Sequence, residues 1–273
     1  MNRTYRTCLV AGLLASLLLG GCGRNRSAGT LRVGLIRPSL DHLPFVLVAE
    51  LGGAETTGCE VVEFTSGWEA NEALVAGRVD LAILPFTYVW ADVARGLPVR
   101  TVSFLERESD GIAARRPLAS LADLEGRRIG VLRASTLDVL ATAALAAAGV
   151  KAEFVPLRGP MELVAALRGG DVDAVSLYVP PIVTLGDEFP VVHWFGDADH
   201  GHPCCDVAVH ADALRDRPEQ VRAVVRRLER GVEAIGKRRA EAVAVAARRW
   251  QLDPAVAASA LAHMRFRTGL DPE

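Results

Sequence analysis

Short apolar runs alternate with amphipathic ones along the chain in a regular order. "TLRVGLI" and "CEVVEF" are rich in β-branched residues and read as strands. "PFVLVAELGG", with proline near its start and glycine at its end, reads as a short helix between them. "WEANEALVAG" is a second helix, "VDLAILP" a third strand and "TYVWADVARG" a third helix. "VRTVSFLE" and "GIAARR" are strands that leave this unit. "SLADLEG" is a short helix with Ser120 as cap and Asp123 at the capping-box position. The order then repeats as "RIGVL", "TLDVLATAALAAAG", "AEFVPL", "MELVAALRGG" and "VDAVSLY". "VVHWF" and "DVAVHA" add strands. From Pro218 the chain turns helical, with Val221, Val224, Val225, Leu228, Val232 and Ile235 on one face. Strands alternating with helices predict parallel, doubly wound α/β sheets.

The repetition reaches single residues. "AGRVDLAIL" at 76–84 is echoed by "GGDVDAVSL" at 169–177, and "VGLIRPSLDHL" by "IGVLRASTLDVL". Gly34 matches Gly130, Arg37 matches Arg133 and Ser39 matches Ser135. Between them, "VVEFTSGWE" and "EFVPLRGPME" fall in register. Two copies predict two related units and are too few for a solenoid.

In open α/β sheets ligands bind beyond the carboxyl ends of the strands. Here those ends are "RPS", "TSGW" and "PFTY" in the first unit and "RAST", "LRGP" and "YVPP" in the second. Arg37 and Arg133 each leave an apolar strand just before a helix. Ser39, Ser135 and Thr136 lie where helices begin and backbone N–H groups are free. The expectation is a pair of Arg-x-Ser loops facing each other and clamping an anion, with Trp68, Phe86 and Tyr178 as apolar walls. Arginine suits this because its planar fork makes two parallel bonds to a carboxylate or sulfonate. For a neutral ring the aromatic residues would carry the binding instead.

The first residues read as an address. Arg3 and Arg6 precede an apolar run from about Leu9 to Leu19, which is short for a bilayer span of about 20 residues. Removing residues 1–21 takes away two arginines and no acid, so the net charge of −2 becomes −4. That balance gives no reason to expect nucleic acid. No Walker, G-x-S-x-G or H-E-x-x-H motif is present, and no cofactor is expected. The segment "HWFGDADHGHPCCDVAVH" holds four histidines and the adjacent Cys204 and Cys205. Its H-x-H-x-C-C spacing is not a zinc pattern, and adjacent side chains rarely converge on one ion. The expectation there is core or hinge packing, with a disulfide to Cys59 as one option, and no metal.

Four phrases carry a family resemblance: "LRVGLI…LPFVLVAELG", "NEALVAGRVDLAILP", "LADLEGRRIGVLRAST" and "LVAALRGGDVDAVSLYVPP". Together with "LLGGC", which resembles a bacterial lipobox, they make the chain similar to solute-binding lipoproteins of ABC importers. More narrowly it resembles the nitrate/sulfonate/taurine and thiamine-precursor binding group, of periplasmic binding protein type II-like fold. The resemblance implies two lobes joined by two hinge strands. It divides the chain into a signal peptide (1–21), a lipidated tether (22–30), lobe I (31–112 and 210–273) and lobe II (113–209). Crossovers are expected near Ala113 to Arg116 and Asp206 to Ala211. Relatives carry more helix beyond a point equivalent to "TGLDPE". The resemblance also implies lipidation of Cys22, a monomer, a membrane permease as partner, and a place in the cell envelope facing the periplasm or the exterior. Two alternatives share the scaffold: a bilobal enzyme related to the menaquinone-pathway or pyrimidine-synthase proteins, and a ligand sensor for an envelope receptor.

Overall fold

A computed structural model describes residues 29–52, 58–198 and 201–270. Cys22, the expected lipid site, and His200 lie outside the described residues. The first unit runs β1 (Leu31–Ile36), α1 (Leu43–Glu50), β2 (Cys59–Phe64), α2 (Gly67–Val75), β3 (Leu81–Pro85), α3 (Phe86–Ala94) and β4 (Val99–Arg107). The second runs β5 (Asp110–Ala114), β6 (Arg128–Leu132), α4 (Thr136–Ala147), β7 (Glu153–Leu157), α5 (Pro160–Gly169), β8 (Ala174–Tyr178), α6 (Pro181–Thr184), β9 (Val191–Trp194) and α7 (Phe195–Ala198). The chain then returns through β10 (Pro203–His210), α8 (Ala211–Asp216), α9 (Pro218–Lys237), α10 (Arg239–Trp250), α11 (Pro254–Ala262) and β11 (Arg265–Gly269). The capping box expected at Ser120 and Asp123 is formed, on a 3-10 turn over Leu121–Leu124.

Two mixed sheets result, ordered β11-β4-β10-β3-β1-β2 and β7-β6-β8-β5-β9. Each has a parallel heart, β2-β1-β3 in one and β7-β6-β8 in the other, with antiparallel strands added beside it. The echoed words do the same work in both. Asp80 accepts the Arg32 N–H at 2.9 Å, and Asp173 accepts the Arg128 N–H at 3.0 Å. Each aspartate thereby pins the start of the central strand to the turn before the third strand. Gly77 and Gly170 take positive φ after their helices, +64° and +85°, where a side chain would be strained. A Cβ on Gly130 would come within 2.8 Å of Leu163, and one on Gly34 within 3.2 Å of Ala82. The repeated vocabulary is scaffold.

In the first sheet Leu81 and Ile83 face α1 and α9, while Ala82 and Leu84 face α2 and α3. That period of two buries both faces of the strand, as doubly wound sheets require. The crossovers differ from expectation. The chain changes sheet between Arg107 and Asp110, and again between Trp194 and Pro203. Ala113 sits inside β5 and Asp206 inside β10, because β4 and β10 stay paired as far as Arg107 and Pro203. Glu108 makes the first crossing with φ of +64°, a left-handed conformation uncommon outside glycine. Its carboxylate receives the Gly201 N–H from the second crossing and an ion pair from Arg265 of β11.

Candidate functional site

The carboxyl ends of the parallel strands meet across the gap between the sheets. Ile36, Pro85, Leu132 and Tyr178, from β1, β3, β6 and β8, line one small cavity there. Ser39, Asp41, Gly67, Tyr88, Cys204 and Cys205 complete it from the first lobe, and Ser135, Thr136, Leu137 and Pro160 from the second. Its volume is about 30 Å³, room for about two water molecules. Outside it, a groove of about 480 Å³ runs between Trp68, Glu69 and Glu72 on one side and Arg133 and Arg158 on the other, with Tyr88 shared by both spaces.

Among the described residues, three hydrogen bonds donated by hydroxyl groups span the cleft. Thr87 Oγ1 donates to the Ala134 carbonyl at 3.0 Å, Tyr88 Oη to the Arg133 carbonyl at 3.1 Å, and Thr136 Oγ1 to the Cys204 carbonyl at 3.0 Å. Two of the three acceptors belong to the "RAST" loop, where Ala134 takes φ of +57° and its N–H is held by Asp138 at 2.9 Å. The lobes are drawn together by backbone carbonyls and hydroxyls that both sides supply.

Ser39, Ser135, Thr136 and Tyr178 are brought together on the cavity wall, and Trp68 and Arg133 line the groove outside it. Arg37 does not face the cleft. Ile36 points into the cavity, and the next residue along an extended chain points the other way. Arg37 instead pairs with Glu63 at 3.0 Å, beside Arg249, which binds the same carboxylate at 2.9 Å. Phe86 is also elsewhere, packed edge-on against Trp90 at 4.9 Å and Phe104 at 6.1 Å. The two-arginine clamp is therefore not formed.

Three groups at the cavity were missed from sequence: Asp41, Tyr88 and the cysteine pair. Asp41 is an acid between Leu40 and Leu43 in "SLDHLPF", and that placement was the available signal. It is 5% exposed, and one carboxylate oxygen, Oδ1, has no hydrogen-bond partner. Burial raises its pKa to about 6, against the opposing pull of Ser39 and Cys205. Beside it, His42 accepts the Ile36 N–H at 2.6 Å, and burial lowers its pKa to about 3, so it stays neutral. Behind the cavity Glu106 is fully buried and pushed well above the usual carboxylate range by burial and by Asp41 and Asp110. Burial, then the charge of Asp41, also drives the Tyr178 hydroxyl up, keeping it a donor.

Cys204 and Cys205 are free, as is Cys59, so no disulfide joins them. The Cys204 thiol is pushed up by its contact with Cys205 and by burial. At Cys205 that contact pulls down, and burial with the charges of Asp41 and Glu106 outweighs it. Both rest as thiols. Although the two residues are consecutive, their Sγ atoms lie 3.8 Å apart. The described histidines of this segment go to separate places: His193 packs on Phe195, His202 stands 3.7 Å from Asp110, and His210 caps α8.

A family model described as NMT1/THI5 like matches residues 41–242. A protein of Brucella abortus (strain 2308) described as a binding protein is 30% identical over 132 residues, 46% of this chain and 40% of that protein. The taurine-binding periplasmic protein of Escherichia coli (strain K12) is 27% identical over 174 residues, 59% of this chain and 52% of its own length. The matched stretches span about half of these relatives or less. The solved structure of the alkanesulfonate-binding protein from Xanthomonas axonopodis pv. citri, bound to MOPS, superposes with a TM-score of 0.76 at 22% identity, over 88% of this chain and 86% of that one. With two α/β sheets facing a shared cleft and a family match over most of its length, the chain belongs to the NMT1/THI5-like family and has the periplasmic-binding-protein fold.

Proposed function

We propose that the protein captures a small solute between its lobes and delivers it to an ABC permease, acting as a monomer anchored to the cell envelope through lipid on Cys22. The observation that carries this is the cavity itself, walled from both sheets, while among the described residues the chain passes between the sheets at 107–110 and 194–203. Such a site is assembled by closure and opened by hinge motion. Among the described residues no helix is long and apolar enough to cross a membrane; the support for attachment through Cys22 is the sequence "LLGGC". In Cys22→Ala, incorporation of a fatty-acid analogue and partitioning into membranes should both be lost.

The side chains favour a solute different from the anion expected of paired arginines. Asp41 presents a carboxylate oxygen without a partner, and Ser39, Ser135, Thr136 and the tyrosine hydroxyls are the other polar groups nearby. Apolar walls come from Ile36, Pro85, Leu132 and Pro160. This combination suits a small ring or chain that offers N–H donors or a positive charge toward Asp41. The closed cavity holds little more than water, so such a solute enters with the lobes apart and occupies both the cavity and the groove outside it. Mass spectrometry of material released from purified protein identifies the solute, and calorimetry then ranks the variants. Asp41→Asn should weaken binding about tenfold or more, the range for a hydrogen bond to a charged group. Arg37→Ala should leave affinity unchanged. Loss of binding in Arg37→Ala with full affinity in Asp41→Asn would restore the anion clamp and sink this assignment.

A further inference from the structure

Cys204 and Cys205 are consecutive in β10, and consecutive side chains of a regular strand point to opposite faces. Here the pairing with β4 slips. Pro203 lies opposite Arg107, Cys205 opposite Glu106 and Asp206 opposite Phe104, with a register shift at each step. The bulge leaves an extra residue on β10 and turns both thiols the same way. A carboxylate oxygen of Glu106, from the facing strand, joins them, and the three candidate ligand atoms lie within 4.8 Å of one another. Glu106, Cys204 and Cys205 are 0%, 5% and 2% exposed. Neither oxygen of Glu106 has a hydrogen-bond partner, an expensive state for a buried carboxyl group. Asp110 Oδ1 stands 3.5 Å from the Cys204 sulfur, and Asp41 Oδ2 stands 3.2 Å from the Cys205 sulfur.

These spacings match a known geometry. A tetrahedral zinc ion with bonds of about 2.3 Å to sulfur and about 2.0 Å to oxygen holds its sulfurs about 3.75 Å apart and each sulfur about 3.5 Å from an oxygen. The structure has 3.8 Å between the sulfurs, with a Glu106 oxygen within 4.8 Å of both. Two thiols with a carboxylate also form a donor set that selects thiophilic cations over magnesium and calcium. Both cysteines line the interlobe cavity, which supplies an entry path.

We propose that Cys204, Cys205 and Glu106 bind one thiophilic divalent cation of the zinc type at the floor of the cleft. Binding displaces the two thiol protons, and any proton on the carboxyl group, into solvent, so affinity rises with pH. The site stands independently of the solute-capture function and of whether the ion is retained or carried.

The test uses the full chain with Cys8, Cys22 and Cys59 changed to serine, leaving Cys204 and Cys205 as its thiols. After chelation, under reductant, it is titrated with cobalt(II) as the optical probe. The expected result is one cobalt per chain, with a thiolate-to-cobalt charge-transfer band and tetrahedral visible bands. Zinc should erase both and magnesium should not. Cys204→Ser or Cys205→Ser should abolish the charge-transfer band, and Glu106→Gln should weaken binding about tenfold or more. Absence of the band in the reduced parent, or its survival in the double serine variant, would overturn the proposal. Should the serine variants fail to fold, alkylation of the parent decides: zinc must slow iodoacetamide at both cysteines, and an unchanged rate refutes the site.

Discussion

Asp206 shows how one buried acid sets the chain's response to pH. It is fully buried, accepts a hydrogen bond from Thr101, and burial raises its pKa from 3.8 to about 7. The unfolded chain loses this proton near 3.8 and the folded one near 7, so between them the folded state holds the extra proton. Its contribution is complete below about pH 4 and is lost as pH rises through 7, with a slope of up to about 1.4 kcal/mol per pH unit. Asp41 acts in the same direction over a narrower window, 3.8 to about 6. Asp206→Asn keeps an acceptor for Thr101 and removes the titration. Denaturant unfolding across pH 4 to 8 should show a flatter profile in this variant, with its advantage over the parent growing toward pH 8. Parallel profiles would show that Asp206 is ionised in the folded protein.

What could be read at this scale depended on whether a residue's partner lies nearby in sequence. The capping box at Ser120 and Asp123 closes within one turn and was legible. The aspartates Asp80 and Asp173 were visible as an echo, though their task, holding a strand some 45 residues away, was not. Arg37 and Phe86 looked like site residues because both follow strand ends. Their true directions depend on the period-two alternation of β1 and on the packing of α3 against β4, which involves Glu63 and Phe104. The cysteines lie in the core, as their sequence context suggested, but that both thiols turn the same way was not legible, because a bulge that arises from pairing with β4 cannot be read from β10 alone.

At the scale of elements, α9 was foreseen from its apolar stripe, and Val221, Val224, Leu228 and Ile235 are indeed buried. The stripe gave no hint of how closely α9 approaches α1. A Cβ on Gly231 would lie 1.9 Å from the Pro44 carbonyl oxygen, and four residues earlier the Arg227 guanidinium covers the Phe45 ring at 3.8 Å. Gly231→Ala gains helix propensity and must still push the two helices apart. The expected balance is a loss of about 1–3 kcal/mol in denaturant unfolding. A variant as stable as the parent would mean that the helices separate at no cost. The other surprise is β11, which extends the first sheet beside β4 where the sequence suggested continued helix. Its residues, "RFRTG", alternate exposed and half-buried, too weak an apolar signal to distinguish a strand from a loop.

For the whole molecule, the balance between open and closed rests on few polar ties. Tyr88→Phe combined with Thr136→Val removes two of the three hydroxyl-donated hydrogen bonds that cross the cleft. Each is worth about 0.5–1.5 kcal/mol, so the balance should move toward the open form by about tenfold or more. Small-angle scattering of the solute-free protein would register this as a larger radius of gyration, and an unchanged radius would place the closing force elsewhere.

The C-terminal helices bear on a further property. α10 packs on α1 of the first lobe, α11 packs on α6 of the second, and His263 stacks on Trp194 at 3.8 Å. One apolar cluster therefore runs from Leu43 and Leu47 through Val245 and Leu261 to Ile182. Two lobes linked only by crossings would melt as separate cooperative units. Lobes that share a core lose it together, so scanning calorimetry should record a single endotherm whose van't Hoff and calorimetric enthalpies agree. His263→Ala and Leu261→Ala, which weaken the shared core without replacing any strand residue, should split that endotherm into two.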